Sequence, residues 1–236
     1  MIEEEKNYVN NYKGADLIDS PLYEEFYHVK ERRSNMRFYA VLLAILFVFA
    51  LFRGIFTTTF ARIDVDGSSM LPTLHSGDSL LMQYSDAAEN HGVLLRFKRT
   101  PQRGDVIIVD VRKYDFNKVE YLIKRLIGVG GDTVKEENGL IYIKKKGETE
   151  FFPLESQPKG VEYDLGGFTY EVGEDEIFFL GDNTHYSMDS RYKQPGKSHF
   201  ADRLYKAEDI CGVVPQWAID GRGLVKVLYA FSIRTA

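Results

Sequence analysis

Hydrophobic and polar positions follow two different patterns along the chain. Phe38 to Phe52 reads FYAVLLAILFVFALF, without a charge or a strong helix breaker. An α-helix rises about 1.5 Å per residue, so this run covers about 22 Å of the roughly 30 Å of a bilayer core. Residues 53–60 supply the missing length if the Arg53 side chain extends to the interface. We therefore predict one transmembrane helix at 37–58, and a buried core helix is the alternative that the length allows.

The charges on either side of this run predict its orientation. Four basic residues precede it, namely Lys30, Arg32, Arg33 and Arg37. Only Arg53 and Arg62 lie close behind it. Because cytoplasmic flanks carry the excess of Lys and Arg, the sequence predicts a cytoplasmic tail at 1–36 and an extracytoplasmic domain at 59–236. This arrangement is that of a single-pass plasma-membrane protein.

Beyond the apolar run the pattern changes to short β-branched and aromatic stretches separated by Gly, Asp and Asn. The predicted strands are 79–84, 105–111, 120–129, 139–145, 168–172, 176–181 and 223–231. Long amphipathic helical patterns are scarce, so we predict a mainly β domain, a coiled or barrel-like assembly of small antiparallel sheets. The segment from about 144 to 170 is predicted to be a surface excursion between strands.

Composition excludes several classes of function. The formal net charge of −5 gives no basic face for nucleic acid, so we expect no nucleic-acid partner. The single cysteine, Cys211, cannot form an intrachain disulfide, and the five histidines show no metal-binding spacing. We therefore expect no metal and no cofactor.

Candidate chemistry lies in the stretch GSSMLPTL, at 67–74. A serine hydroxyl needs a neighbouring base, which is histidine or a lysine whose pKa is lowered by apolar burial. Lys124 fits the second option because it lies inside the apolar strand EYLIKRLIGV. Alternation puts Lys124 on one face of the strand and Arg125 on the other, and both faces are apolar. The sequence leaves open which face is inside, and an edge-strand lysine with its head in water is the alternative.

Four stretches together resemble a known family. GSSMLPTL, RGDVIIV, YLIKRLIGVGGD and GDNTHYSMDSR occur in the order and approximate spacing of the conserved boxes of type I signal peptidases. These are membrane-anchored serine proteases that remove signal peptides from exported proteins, and the single span resembles the Gram-positive type. The resemblance covers about 38 to 215. It implies a signal-peptidase-like β fold and cleavage after a small-x-small site by an acyl-enzyme mechanism. The implied partners are preprotein signal peptides, the lipid bilayer and a nearby export translocon.

The resemblance also implies roles for individual residues. Ser69 takes the place of the nucleophile and Lys124 that of the general base. Ser187 is expected to hydrogen-bond and orient the lysine, while Asp189 and Arg191 form a charged pair, for which an exposed surface pair is the alternative. The remaining predicted site residues are the supporting Asp182 and Arg125 and the substrate-binding Met70 and Pro72. The backbone N–H of Ser69 is the expected oxyanion donor.

The fourth stretch departs from the family, which commonly has Arg-Asp where this chain has Thr184 and His185. His185 therefore raises a rival hypothesis, a Ser69/His185 triad with Asp182 or Asp189 as the orienting carboxylate. A membrane-tethered β module that binds exported peptides without cleaving them is a second alternative. A self-cleaving repressor-type Ser/Lys protease is a third. Residues 193–206 are interpreted as an insertion without an assigned role.

Overall fold

The computed structural model describes residues 21–87, 97–114, 119–191, 205–223 and 225. Helix α1 runs from Pro21 to Thr59. Its portion Asn35–Thr59 has a mean hydropathy of 2.4 over its most apolar window, and none of that window is buried. This part of α1 is long and apolar enough to cross a membrane. A core helix would be buried within the protein, so the exposure of α1 does not favour that alternative.

The rest of the described chain is mainly β. In chain order its strands are β1 Phe60–Asp64, β2 Ser79–Tyr84, β3 Val106–Asp110, β4 Tyr121–Val129, β5 Thr133–Glu137, β6 Leu140–Lys144, β7 Phe152–Pro153, β8 Tyr170–Glu171, β9 Ile177–Leu180 and β10 Ile210–Val214. They form a six-stranded sheet in the order β1-β2-β10-β3-β4-β9 and a four-stranded sheet in the order β7-β6-β5-β8. Every strand pairing in the two sheets is antiparallel. The predicted fold class, small antiparallel sheets behind an apolar helix, is confirmed.

Helical structure in this domain is short. One-turn 3-10 helices lie at Arg112–Tyr114, Thr184–Tyr186 and Ala207–Asp209, and helix α2 is Gln216–Asp220. The predicted strand at 223–231 is wrong where it can be compared, because Gly223 and Val225 are helical and the residues from 226 lie outside the described chain. Val225 is buried in a core cluster, so it is apolar because a helical turn packs against the core there.

Three hydrophobic clusters lie among the described residues of the domain. The first lies between the two sheets, the second surrounds the β1–β2 connection, and the third covers the opposite face of the large sheet. Strand β4 contributes to the first with Ile127 and to the third with Leu122 and Leu126. These clusters cover both faces of β4, and its two edges pair with β3 and β9 in the large sheet. Lys124 and Arg125 are accordingly only 2% and 5% exposed, which excludes the edge-strand alternative.

The segment between β6 and β8 corrects the sequence interpretation. The pattern predicts a surface excursion, yet Leu154, Val161, Tyr163 and Leu165 are buried in the first cluster. Residues 161, 163 and 165 alternate like a strand and point their side chains inward, although the backbone forms no ladder there. The segment therefore contributes to the core. The insertion interpreted at 193–206 lies outside the described residues except for Tyr205 and Lys206.

Candidate active site

Ser69 lies in the turn that connects β1 to β2. The turn is closed by backbone hydrogen bonds from Leu74 N to Met70 O at 2.9 Å and from Gly77 N to Val65 O at 2.8 Å. Met70 and Leu74 anchor it, because their side chains are buried in the second cluster. The carbonyl of Ser69 accepts a hydrogen bond from Asn183 N at 3.0 Å. The serine is thereby fixed in this turn, and it is partly exposed.

Lys124 on β4 reaches this serine. Its Nζ donates to Ser69 Oγ at 2.8 Å and to the carbonyl of Ile123 at 2.8 Å. Burial lowers the pKa of Lys124 to about 8, against the opposing charges of Asp189 and Asp182. An amine with a pKa of about 8 is roughly 20% neutral at pH 7.4, against about 0.1% for an unperturbed lysine. The pair therefore has the contact and the protonation equilibrium that proton transfer from the serine needs.

The neighbouring Arg125 lies in a different environment. Its Nε donates to Asp182 Oδ1 at 2.8 Å and its Nη2 to Asp182 Oδ2 at 2.6 Å. Its Nη1 donates to the carbonyl of Gly104 at 2.7 Å. Burial on its own lowers the pKa of Arg125, but the hydrogen bonds and charge of Asp182 outweigh it and raise that pKa. Arg125 and Asp182 thus form a bidentate ion pair that is almost fully removed from water.

A second buried carboxylate organises the segment after β9. Asp189 is 1% exposed and accepts from Gly181 N at 3.0 Å. Arg191 Nη2 donates to Asp189 Oδ2 at 2.8 Å, and Arg191 Nη1 donates to the carbonyl of Asp164 at 2.6 Å. The predicted partners Asp189 and Arg191 therefore form a largely buried ion pair. The alternative, an exposed surface pair, is wrong.

Gly181 brings this segment against the turn that carries Ser69, the predicted nucleophile. A Cβ at Gly181 would lie 2.1 Å from Ser187 Oγ and 2.5 Å from the carbonyl oxygen of Ser69. Ser187 therefore packs next to the Ser69 backbone. Its Oγ is buried without a hydrogen-bond partner among the described residues, so the expected bond to Lys124 is not made. The Lys124 amine instead uses the carbonyl of Ile123 beside Ser69.

His185 lies on the 3-10 turn Thr184–Tyr186 with an exposed side chain. The carboxylate of Asp182 is paired with Arg125. That of Asp189 accepts a hydrogen bond from the backbone of Gly181 and is paired with Arg191. Neither carboxylate is hydrogen-bonded to the imidazole among the described contacts. The geometry therefore does not support the rival triad.

The two predicted substrate-binding residues differ in exposure. Pro72 is exposed, whereas the Met70 side chain is only 2% exposed and packs with the core. The structure thus gives Met70 a packing role, and contact of either residue with a substrate stays a prediction.

Sequence reasoning missed two residues of the site. Thr73 Oγ1 and the Tyr163 hydroxyl both donate to Asp182, the latter at 2.8 Å. Thr73 could have been found, because it lies four residues after Ser69 in the same motif. Tyr163 carries no such signal, because it lies in a segment rich in Gly, Pro and charge.

A family model matches most of this chain, and individual known proteins match about half of it. The family model described as signal peptidase, peptidase S26, matches residues 37–228. A signal peptidase I of Bacillus licheniformis is 35% identical over 131 residues, covering 54% of this chain and 63% of that protein. A signal peptidase I of Bacillus amyloliquefaciens is 36% identical over 131 residues, covering 54% and 61%. The chain thus spans less than two thirds of the length of these two relatives. A crystal structure of a signal peptidase I from Enterococcus faecalis aligns with a TM-score of 0.36 and 26% identity, covering 50% of this chain and 98% of that one.

Proposed function

The chain belongs to the signal peptidase family, peptidase S26, and on this premise we propose that it removes the signal peptides of exported preproteins. The observation that carries the proposal is the 2.8 Å contact between Lys124 Nζ and Ser69 Oγ, made by a lysine that is only 2% exposed. A serine beside a buried, weakly basic amine is suited to acyl transfer. Retention of this pair also disfavours the peptide-binding module that does not cleave.

The proposed reaction begins with neutral Lys124. Its amine accepts the proton of the Ser69 hydroxyl while Oγ attacks the scissile carbonyl carbon. The resulting ammonium protonates the leaving amine as the peptide bond breaks, which leaves the signal peptide esterified to Ser69. A water molecule then attacks the ester, again giving its proton to Lys124, and the serine is regenerated. The backbone N–H of Ser69 is the proposed donor to the oxyanion.

The proposed substrate is an extended peptide with small residues at the cleavage site. Signal peptides end in such residues, and an extended segment can add to a sheet as a further strand. Ser69 lies in a turn and is partly exposed, so an extended peptide can reach its hydroxyl. We propose cleavage after an Ala-x-Ala-like site on the outer face of the plasma membrane, close to the export translocon.

The experiment is cleavage of a preprotein with an Ala-x-Ala site by detergent-solubilised full-length protein, with N-terminal sequencing of the product. Ser69→Ala is the inactive variant, and Ser68→Ala is the matched control because its hydroxyl is exposed and adjacent in sequence. We expect cleavage after the last alanine by the wild type and by Ser68→Ala. Folded wild-type protein that binds the preprotein and leaves it intact would favour the binding module instead.

Membrane orientation is a separate part of the proposal. It rests on the excess of basic residues before the apolar part of α1. Because Cys211 is the single cysteine, a Cys211→Ser background allows one cysteine to be placed on each side. In intact cells, a membrane-impermeant maleimide should label Lys159→Cys and should label Lys13→Cys only after permeabilisation. The reverse pattern would invert the assigned orientation.

The lipid bilayer is a proposed partner of the β domain as well as of the helix. Phe56, Phe60 and Trp217 form an aromatic group, with ring centroids 5.2 Å and 5.7 Å apart in the two contacts. Trp217 is 50% exposed, and amphipathic aromatic rings favour the membrane interface. As Trp217 is the only tryptophan, its fluorescence should be quenched by brominated lipids in vesicles. Fluorescence that is unchanged by these lipids would remove the bilayer as a partner of this group.

A further inference from the structure

The segment between β6 and β8 is hydrogen-bonded to β6 of the small sheet and to the turn that follows β9. Gln157 accepts a hydrogen bond from Ile141 N at 2.9 Å and donates to the carbonyl of Val161 at 2.7 Å. Thr184 Oγ1 donates to the carbonyl of Glu162 at 3.0 Å. These contacts bracket Tyr163 from the side of the small sheet and from the turn that follows β9. The position of Tyr163 is therefore defined on both sides.

Tyr163 carries one polar atom into the buried site. Its side chain is 2% exposed, and its hydroxyl donates to Asp182 Oδ1 at 2.8 Å. Burial, and then the negative charge of Asp182, raise the pKa of Tyr163, so the phenol stays protonated and remains a donor. A hydrogen bond from a neutral group to a buried carboxylate belongs to the stronger class of hydrogen bonds.

Asp182 is the carboxylate at which three parts of the chain meet. Arg125, which pairs with both of its oxygens, directly follows Lys124 on β4. Thr73, which donates to Oδ2, lies in the nucleophile turn four residues after Ser69. Tyr163 is the donor that comes from neither of these segments. A change in the position of the Asp182 carboxylate is therefore transmitted both to the lysine strand and to the serine turn.

We propose that Tyr163 is a positioning residue for the Ser69–Lys124 pair, and that it acts through the carboxylate of Asp182. This inference rests on the proposed function, because it assigns Tyr163 to the same reaction. The hydroxyl fixes Oδ1 so that the carboxylate holds Arg125 and Thr73 together. Without it, the serine turn and the lysine strand lose one of the constraints that set the distance between Oγ and Nζ.

The charge of Asp182 gives the proposal a second consequence. Among the described residues, Asp189 and Asp182 raise the pKa of Lys124, and burial lowers it. Arg191 partly neutralises Asp189, whereas Arg125 and the Tyr163 hydroxyl partly neutralise Asp182. Loss of the hydroxyl leaves more of the negative charge of Asp182 acting on the amine. The pKa of Lys124 should then rise, which lowers the fraction of neutral base at a given pH.

The test is Tyr163→Phe in the full-length protein, since phenylalanine keeps the ring and removes only the donor. Two controls separate positioning from stability. Val161→Ala creates a small cavity in the same segment and cluster without touching Asp182. Tyr142→Phe removes a hydroxyl from β6 in the small sheet. Each variant is measured for kcat and KM on the preprotein, for Tm, and for the pH titration of Lys124 by NMR with ¹³C-labelled lysine, assigned with Lys124→Ala.

Tyr163→Phe should lower kcat about tenfold with little change in KM. Its Tm should also fall, by an amount similar to that of Val161→Ala, because the buried carboxylate of Asp182 loses one of its hydrogen-bond donors. Its Lys124 titration should move to higher pH. Val161→Ala should lower Tm and leave kcat and the titration unchanged, and Tyr142→Phe should leave all three unchanged. In an Asp182→Ala background, which has no side-chain acceptor for the hydroxyl, Tyr163→Phe should have no further effect on kcat.

Two results would overturn the inference. One is a Tyr163→Phe protein with wild-type kcat and an unmoved Lys124 titration, and the other is a loss of kcat that Val161→Ala reproduces. Failure of the proposed function would give a different result, because the wild-type protein itself would then leave the preprotein uncleaved. In that case the NMR titration, which needs no substrate, still decides whether Tyr163 acts on Lys124.

Discussion

Lys124 and Arg125 lie side by side on β4, and the surroundings of the two cations differ. The amine of Lys124 forms no salt bridge among the described residues, and burial lowers its pKa to about 8. The guanidinium of Arg125 lies in a bidentate pair with Asp182, which raises its pKa. Strand alternation sends the two side chains to different faces, so one strand can carry both environments.

The difference shows how a buried cation can serve chemistry or structure. A cation matched by a carboxylate stays charged and fixes geometry, but it cannot accept a proton at neutral pH. A cation buried without a paired carboxylate loses part of its charge, and its neutral form becomes a base. We propose that proton transfer belongs to the Lys124 side of β4 and that the Arg125 side supports its geometry. Substitutions on the two sides test this division, and the one at Lys124 should have the greatest consequence.

Lys124→Met keeps the length and apolar stem of the side chain and removes the base. General acid–base catalysis contributes up to about ten-thousandfold, so we expect kcat on a preprotein to fall at least about a thousandfold. The fold should be retained, because an uncharged side chain suits a site that is 2% exposed. Lys135→Met on β5 is the control and should cleave normally. Substantial cleavage by folded Lys124→Met would assign the base to another residue.

Asp182→Asn leaves Arg125 with a neutral partner in a buried site. Breaking a buried ion pair costs about 3–5 kcal/mol, so we expect a reduction of that order in the free energy of unfolding, measured with denaturant. Replacing both partners, as in Arg125→Met with Asp182→Leu, should recover a large part of the loss because no unpaired charge remains. A single variant as stable as the wild type would contradict the structural role of the pair.

Gly181→Ala tests the contact between the segment after β9 and the nucleophile turn. The added Cβ would lie 2.5 Å from the carbonyl oxygen of Ser69, so the backbone of one segment must move. A displacement of about 1 Å can cost about a hundredfold in rate, and we expect a loss of kcat of that order. Gly223→Ala is the matched control, because its new methyl group would meet no atom within 4 Å and its backbone is not left-handed. Equal activity of the two variants would show that the turn accommodates the methyl group.

The exposed ion pair between Lys146 and Glu174 should contribute less to stability than the buried pair of Arg125 and Asp182. The Lys146 and Glu174 side chains are 64% and 69% exposed, although their N–O distance is 2.5 Å. Surface pairs contribute under about 1 kcal/mol, so Lys146→Ala should change the free energy of unfolding by less than that. A loss as large as that of Asp182→Asn would mean that burial does not distinguish the two pairs.

The sequence predicts β2, β3, β4 and β9 of the large sheet and misses β1 and β10. The run SLLMQY coincides with β2, because apolar residues there are bounded by clear turn signals. Strand β5 has the sequence TVKEE, with one buried apolar residue, and escapes the pattern because its stability comes from pairing with β6 and β8. The helical Gly223 and Val225 fall within a predicted strand because a short apolar run fits either structure.

Some residues of the candidate site could be identified from the sequence, and others could not. Ser69 and Lys124 could be selected because a serine motif and a lysine in an apolar strand are local signals. The burial of Lys124 could not be decided, since both faces of β4 are apolar in sequence and only the position between β3 and β9 settles it. Tyr163 could not be found at all, because its contact with Asp182 spans segments that are distant in sequence.

The most direct test of the account is the pH dependence of kcat/KM for preprotein cleavage by the wild type. The proposed mechanism requires neutral Lys124 in the free enzyme, and the pKa of Lys124 lies below that of an ordinary lysine. We expect kcat/KM to rise about tenfold per pH unit below about 8 and to level off above it. A profile that already levels off near 6.5, the ordinary pKa of histidine, would contradict the lysine base and favour His185.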